Sequence, residues 1–226
     1  MLIGILQTGQ SPEALREGNG DYPDMFQRLL ADRGLSFRTY KVAEMDFPAD
    51  VHDCDGWLIT GSRFGVYEEH PFIAPLEAFI RKTIAAGVPL VGICFGHQII
   101  AQAMGGKVEK YAGGWAIGAQ DYVLDGAPVT LNAWHQDQVV RRPEGAEVIA
   151  CNDFCENAAL VYGDRAFTVQ AHPEFDDTFI RGMLEKRAPG LVPDPLIAAA
   201  AGRVAEEKSS PLLAAKIADF FLKPRG

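Results

Sequence analysis

Two short segments of this chain carry residues able to do covalent chemistry together. In Val88-Pro-Leu-Val-Gly-Ile-Cys-Phe-Gly-His-Gln98, a cysteine sits between glycines at 92 and 96. When a buried strand turns sharply into a helix, the corner residue is forced into a strained backbone conformation. Small residues two places either side then avoid a clash, giving the Gly-x-nucleophile-x-Gly elbow with sulfur in place of oxygen. Such a corner lifts Cys94 off the carboxyl end of a sheet and onto a helix N-terminus, whose dipole and free N–H groups favour thiolate and can hold an oxyanion. The plainer alternative is a small apolar cysteine in a glycine-rich strand end.

A nucleophilic thiol needs a base, itself steered by a third group. Of the five histidines, His172 lies at the end of an apolar strand candidate, Phe167-Thr-Val-Gln-Ala-His-Pro-Glu-Phe175. If the chain stays extended through Pro173, residues 172 and 174 point the same way and Glu174 can orient the imidazole. Taken without its cysteine, His-Pro-Glu reads as a loop after a strand. His97 is expected to be a packed group, because three residues beyond the nucleophile on a helix it points away from the thiol. His70, before Pro71, reads as a solvated loop histidine.

Positioning these groups requires a sheet. Apolar runs at Leu2–Leu6, Trp57–Thr60 and Val88–Ile93, with Ser36–Val42 as a second strand candidate, alternate with helical patterns over Tyr22–Arg33 and Phe72–Ala86, the rhythm of βαβ units. Uninterrupted apolar strands fit a parallel sheet covered on both faces. From Lys107 to Gln170 the segments alternate more and are broken by Gly113-Gly114, Asp125-Gly126, Pro128 and Pro143, which predicts an appended antiparallel section. After Pro173 the strand signals stop. Asp177–Arg187, Asp194–Val204 and Ser210–Leu222 are helical in composition, within a C-terminal helical segment at 175–226. The expected fold is α/β, a three-layer arrangement of a mixed, mostly parallel sheet with helices on both faces, in a single domain over residues 1–226.

Composition narrows the functions. The 226 residues include 30 acidic and 21 basic side chains, for a net charge of −9, and 48% are hydrophobic. That balance argues against nucleic acid or anionic membrane as a general partner, since clustered Lys and Arg hold both. Leu2–Leu6 reads as a first strand and not as a signal peptide, and Val88–Ile93 is too short to span a bilayer. Four cysteines without an export signal point to a reducing cytoplasm. Cys151 and Cys155 could be half of a metal site, but no second pair or suitably spaced histidine accompanies them, so no metal and no cofactor is expected.

Taken together, Gly92-Ile-Cys-Phe-Gly-His-Gln98 and His172-Pro-Glu174 resemble the nucleophile and His-x-Glu signatures of the class I, or triad, glutamine amidotransferases. Ile59-Thr-Gly-Ser-Arg63 is placed like that family's oxyanion loop, and Trp134-His-Gln-Asp-Gln-Val139 is similar to a segment of the relatives fused to guanylate synthetases. The resemblance implies a flavodoxin-like fold and a γ-glutamyl thioester on Cys94, with His172 delivering a proton to the departing ammonia and Glu174 behind it. It also implies an oxyanion hole from the N–H groups of Ser62 and Phe95. Gly61 and Gln98 would hold the amino acid end of the substrate, with Trp134, His135 and Gln136 lining the other side. The oxyanion loop departs from the family's small-residue run at Arg63, so Arg63–Tyr67 with Glu68, Glu69 and His70 is expected to form a lid or rim.

Three readings follow. A glutamine amidotransferase would pass ammonia to a separate synthetase subunit, since the amidotransferase-like region takes up the whole sequence. A γ-glutamyl peptide or amide hydrolase would use the same triad alone. A non-catalytic binding protein on this scaffold is disfavoured by the intact Cys94, His172 and Glu174, and the cysteine-elbow protease and chaperone superfamily fits less well because it lacks a His-x-Glu segment.

Overall fold

The computed structural model describes residues 1–225. Its first half runs β1 (Leu2–Leu6), α1 (Glu13–Asn19), α2 (Tyr22–Leu29), β2 (Ser36–Tyr40), β3 (Gly56–Ile59), α3 (Ile73–Ala86), β4 (Leu90–Ile93) and α4 (Phe95–Ala103). There follow β5 (Lys107–Lys110), β6 (Ala116–Leu124), β7 (Ala127–His135), β8 (Asp137–Arg141), β9 (Glu147–Cys151), β10 (Ala159–Tyr162) and β11 (Ala166–Val169). Three helices close the described chain: α5 (Asp177–Lys186), α6 (Asp194–Gly202) and α7 (Ser210–Leu222).

Nine strands form one sheet in the order β2-β1-β3-β4-β11-β10-β9-β6-β7, and β5 pairs with β8 in a second. From β2 to β11 every pairing is parallel, and from β11 to β7 every pairing is antiparallel. The fold is therefore the mixed α/β sheet expected. β3, β4 and β11 are buried at every position, as strands covered on both faces must be. On one face α3 and α4 bring Leu76, Ile80, Ile99 and Ile100 onto Leu6, Trp57, Ile59 and Leu90. On the other, Phe26 and Leu30 join Leu213, Ile217 and Phe221 of α7 over Ile3, Ile5, Val91 and Phe167. The last helix thus covers the sheet. α1 and α5 instead pack together with Leu15, Tyr22, Phe175, Phe179 and Met183 in a third apolar cluster beside the carboxyl ends of the parallel strands.

Some boundaries differ from the sequence pattern for local reasons. The helix expected over Tyr22–Arg33 stops at Leu29, and left-handed backbone at Asp32 (φ 60°) and Gly34 (φ 71°) turns the chain back into β2. Val42 falls in a 3₁₀ turn closed by left-handed Met45, so β2 ends at Tyr40. α1 gives little sequence signal, because it has seven residues and buries only Leu15.

The order β3-β4-β11 decides where the chemistry-bearing residues go, because the chain leaves the ends of these three neighbouring strands through Gly61, Cys94 and His172. The turn from β4 into α4 is tightly packed. A Cβ on Gly92 would come within 2.5 Å of the Gly96 backbone, and one on Gly96 would collide with the Ile59 carbonyl oxygen on β3. Backbone on both sides leaves no flexible group to yield. Gly96→Ala is expected to destabilise the fold by about 1–3 kcal/mol through overpacking, read as a lower midpoint in urea unfolding; an unchanged midpoint would contradict this packing.

Candidate active site

Cys94 occupies the corner between β4 and α4 with φ 53° and ψ −101°, a conformation rare for any residue but glycine. It is held on both sides: its N–H donates to the Val169 carbonyl at 2.9 Å, and its carbonyl accepts from Gln98 N–H at 3.0 Å. The corner places the side chain at the mouth of α4. Phe95 is the first helical residue, so its N–H has no acceptor within the helix.

His172 and Glu174 follow β11. Their side chains are buried, and His172 Nδ1 lies 2.7 Å from Glu174 Oε1. Phe175 stacks on the imidazole at 3.9 Å between centroids with only 4° between planes. Asn132 of β7 clamps this turn from beneath, accepting from His172 N–H at 2.8 Å and donating from Nδ2 to the Phe175 carbonyl at 2.8 Å. Gly61 lies between the Cys94 and His172 side chains: a Cβ there would be 3.0 Å from His172 Cε1 and 3.8 Å from Cys94 Cβ. Burial opposes charge on His172, but the Glu174 carboxylate, Cys94 and hydrogen bonds to both outweigh it and raise its pKa to about 10.

The Gly61–Ser62 loop is stapled to the turn after β1. Thr8 N–H donates to Thr60 Oγ1 at 3.1 Å, Thr8 Oγ1 donates to the Thr60 and Gly61 carbonyls, and Ser62 Oγ donates to the Thr8 carbonyl at 2.8 Å. Ser62 and Cys94 line one cavity of about 900 Å³ together with His172, Gln98, Trp134, His135 and Gln136. Gly61 stands behind that wall, its carbonyl taken by the threonines. Gln98 Nε2 is committed to the Asp137 carbonyl at 2.9 Å and to Gln170 Oε1 at 3.1 Å, tying α4 to the start of β8. Burial pushes His135 down to about 3, so it is neutral, with Nδ1 3.2 Å from the Asp137 carbonyl. His97 is likewise buried and held to about 3, its Nδ1 2.8 Å from Thr168 Oγ1.

The rim carries Arg63, Phe64, Tyr67 and Glu68, whereas His70 folds back onto Phe64 and Phe72 and pairs with Glu68 at 2.8 Å. Tyr67 donates to Asp137 Oδ2 at 3.0 Å, tying the Arg63–His70 loop to β8. Burial and Asp137 together push Tyr67 up to about 12. Cys155 is buried and pushed up to about 12 by desolvation, and Cys151 is exposed. No cluster of three or more potential metal ligands occurs among the described residues. Nor is any helix among them long and apolar enough to cross a membrane.

Sequence reading missed Tyr22, Arg16 and Arg187, which line the same cavity from α2, α1 and the end of α5. Tyr22 carried one signal, its position directly after the capping residue Asp21. The two arginines had none, because only packing of α1 on α5 brings them to the cavity.

Fold and site together define an α/β protein with a cysteine elbow at the carboxyl ends of its parallel strands. The chain belongs to the family described as Glutamine amidotransferase class-I, whose profile matches residues 20–186. It is 28% identical over 190 residues to gamma-glutamyl peptidase 4 of Arabidopsis thaliana, covering 77% of this chain and 76% of that one. It is 32% identical over 173 residues to the glutamine-hydrolyzing GMP synthase of Staphylococcus saprophyticus, covering 66% of this chain but 33% of the synthase. Among solved structures, a glutamine amido transferase from Methylobacillus flagellatus shares the fold with a TM-score of 0.77 at 22% identity, over 100% of this chain and 96% of that one.

Because Glu174 helps to raise His172, its removal must lower the imidazole pKa. In Glu174→Gln, the His172 titration followed by NMR is expected well below the value near 10 of the parent protein. The raised pKa also contributes stability that is fully present below the ordinary histidine value of 6.5 and lost as pH rises through about 10. The parent protein should therefore lose more stability over that window than the variant. An unmoved His172 titration would contradict the pairing.

Proposed function

We propose that this chain hydrolyses γ-glutamyl amide bonds through a thioester on Cys94. The observation that carries the reading is the strained elbow that presents Cys94 across from His172, with Glu174 buried behind the imidazole. In the first step the Cys94 thiolate attacks the γ-carbonyl carbon, and the oxyanion is held by the N–H groups of Phe95 and Ser62. The C–N bond breaks as His172 gives its proton to the leaving nitrogen. Water, deprotonated by His172, then attacks the thioester carbon and releases glutamate and the thiolate. Glu174 keeps the imidazole oriented and favours its charged form. In this scheme Gly61 shapes the glutamyl end from behind the wall, and Gln98, Trp134, His135 and Gln136 line it.

Two observations favour γ-glutamyl peptides or amides as substrates hydrolysed by this chain alone. The similarity to the Arabidopsis peptidase spans most of both proteins, and the cavity, at about 900 Å³, far exceeds the needs of free glutamine. The second reading, glutamine hydrolysis that feeds ammonia to a separate synthetase subunit, is supported by the match to the GMP synthase.

Release of glutamate and amine from glutamine and a panel of γ-glutamyl dipeptides separates the readings. Dipeptides turned over well above glutamine are the expected result, and Cys94→Ala should lower every rate at least about 10³-fold. Turnover that persists in Cys94→Ala would overturn the thioester route. Activity on glutamine alone, rising when a synthetase is added, would favour the second reading.

A further inference from the structure

We propose that Arg16 and Arg187 form a recognition site for a carboxylate on the leaving amine, so that the preferred substrates are γ-glutamyl compounds whose leaving group is anionic. This rests on the hydrolase reading above and names the substrate class of the same site.

The leaving nitrogen takes its proton from His172, so any substituent on that nitrogen lies on the His172 side of the cavity. That side is built outward from the imidazole. Phe175 stacks on His172, and Tyr22 stacks on Phe175 at 6.1 Å and 25°. Beyond Tyr22 the wall is completed by α5 and α1, which bring Met183, Arg187 and Arg16 to the same cavity. The two elements are fastened together: Lys186 Nζ donates to the Ala14 carbonyl at 3.0 Å, and Leu15 fills the space in front of Gly182. Arg16 and Arg187 thus reach one cavity from two elements that pack on each other.

Neither arginine has a carboxylate partner among the described residues. Arg16 gives one hydrogen bond, from a terminal nitrogen to the Ser11 carbonyl at 2.7 Å, and its Nε is buried without an acceptor. Arg187 makes no side-chain hydrogen bond or ion pair within the described chain. The carboxylates that share the cavity are largely occupied: Glu44 pairs with Lys41, Glu68 with His70, and Asp137 accepts from Tyr67. Only Glu13, exposed on α1, stands without such a partner. In a chain of net charge −9, two guanidinium groups without carboxylate partners on the leaving-group wall complement an anion. Guanidinium is the donor set suited to a carboxylate, through its planar fork.

The test compares kcat/KM for four compounds that share the γ-glutamyl group: γ-glutamylglycine, γ-glutamyl methylamide, a γ-glutamyl derivative of 1,4-diaminobutane, and glutamine. γ-Glutamylglycine is expected to exceed the neutral methylamide by about tenfold or more, the scale of a charge-assisted hydrogen bond. Arg16→Gln and Arg187→Gln should each collapse that ratio towards one, chiefly by raising KM for γ-glutamylglycine, and Arg187→Lys should retain part of it. Equal rates for anionic and neutral amines, preference for the diamine, or equal losses on both substrates in the variants would overturn this inference while leaving the hydrolase reading intact. Absence of Cys94-dependent turnover for all four would instead overturn the hydrolase reading itself.

Discussion

The constraint on which the rest of the site depends is the left-handed backbone at Cys94. A non-glycine residue at φ 53° and ψ −101° costs on the order of 1–3 kcal/mol, so the surroundings must over-determine it. They do so with hydrogen bonds on both sides of the peptide, with Gly92 packed on Gly96, and with Gly96 packed on the Ile59 carbonyl. β4 lies between β3 and β11 and runs parallel to both. Ligands in open α/β sheets sit beyond the carboxyl ends of parallel strands, and here three adjacent ends deliver the Gly61–Ser62 loop, the thiol and the imidazole to one point.

Electrostatics give the site its second level of order. His172 is buried, a condition that by itself favours neutral imidazole, yet Glu174 and Cys94 hold it in the charged form. Nearby His135 and His97 lack such partners, and burial keeps both neutral. Three buried histidines in one neighbourhood thus differ in charge because one of them has a carboxylate 2.7 Å away. Phe175 links this pair to the outer wall, since the ring that stacks on His172 also stacks towards Tyr22.

Much of the framework was legible because it is local. Apolar runs marked β1, β3 and β4, proline and glycine marked the breaks, and the Gly-x-Cys-x-Gly and His-Pro-Glu segments stood out by spacing within a few residues. What depends on long-range packing was not legible. The Thr8–Thr60 staple joins residues 52 apart, and Asn132 reaches the His172 turn from a β-hairpin some forty positions away, with a span of 43 to Phe175. α1 is too short to show a period, so the cavity wall that includes Arg16 had no sequence signature. Arg63, Phe64, Tyr67 and Glu68 line the cavity, but the tie through Tyr67 to Asp137 spans 70 residues and could not be read from either end.

Trapping the acyl-enzyme tests the thioester on Cys94 without intermediary. Acid quench of the protein during turnover of a γ-glutamyl dipeptide, followed by digestion and mass spectrometry, should find a γ-glutamyl group on the peptide carrying Cys94 and on no peptide carrying Cys54, Cys151 or Cys155. Glutamate formed at full rate with no adduct on Cys94, or with the adduct on another residue, would contradict the account.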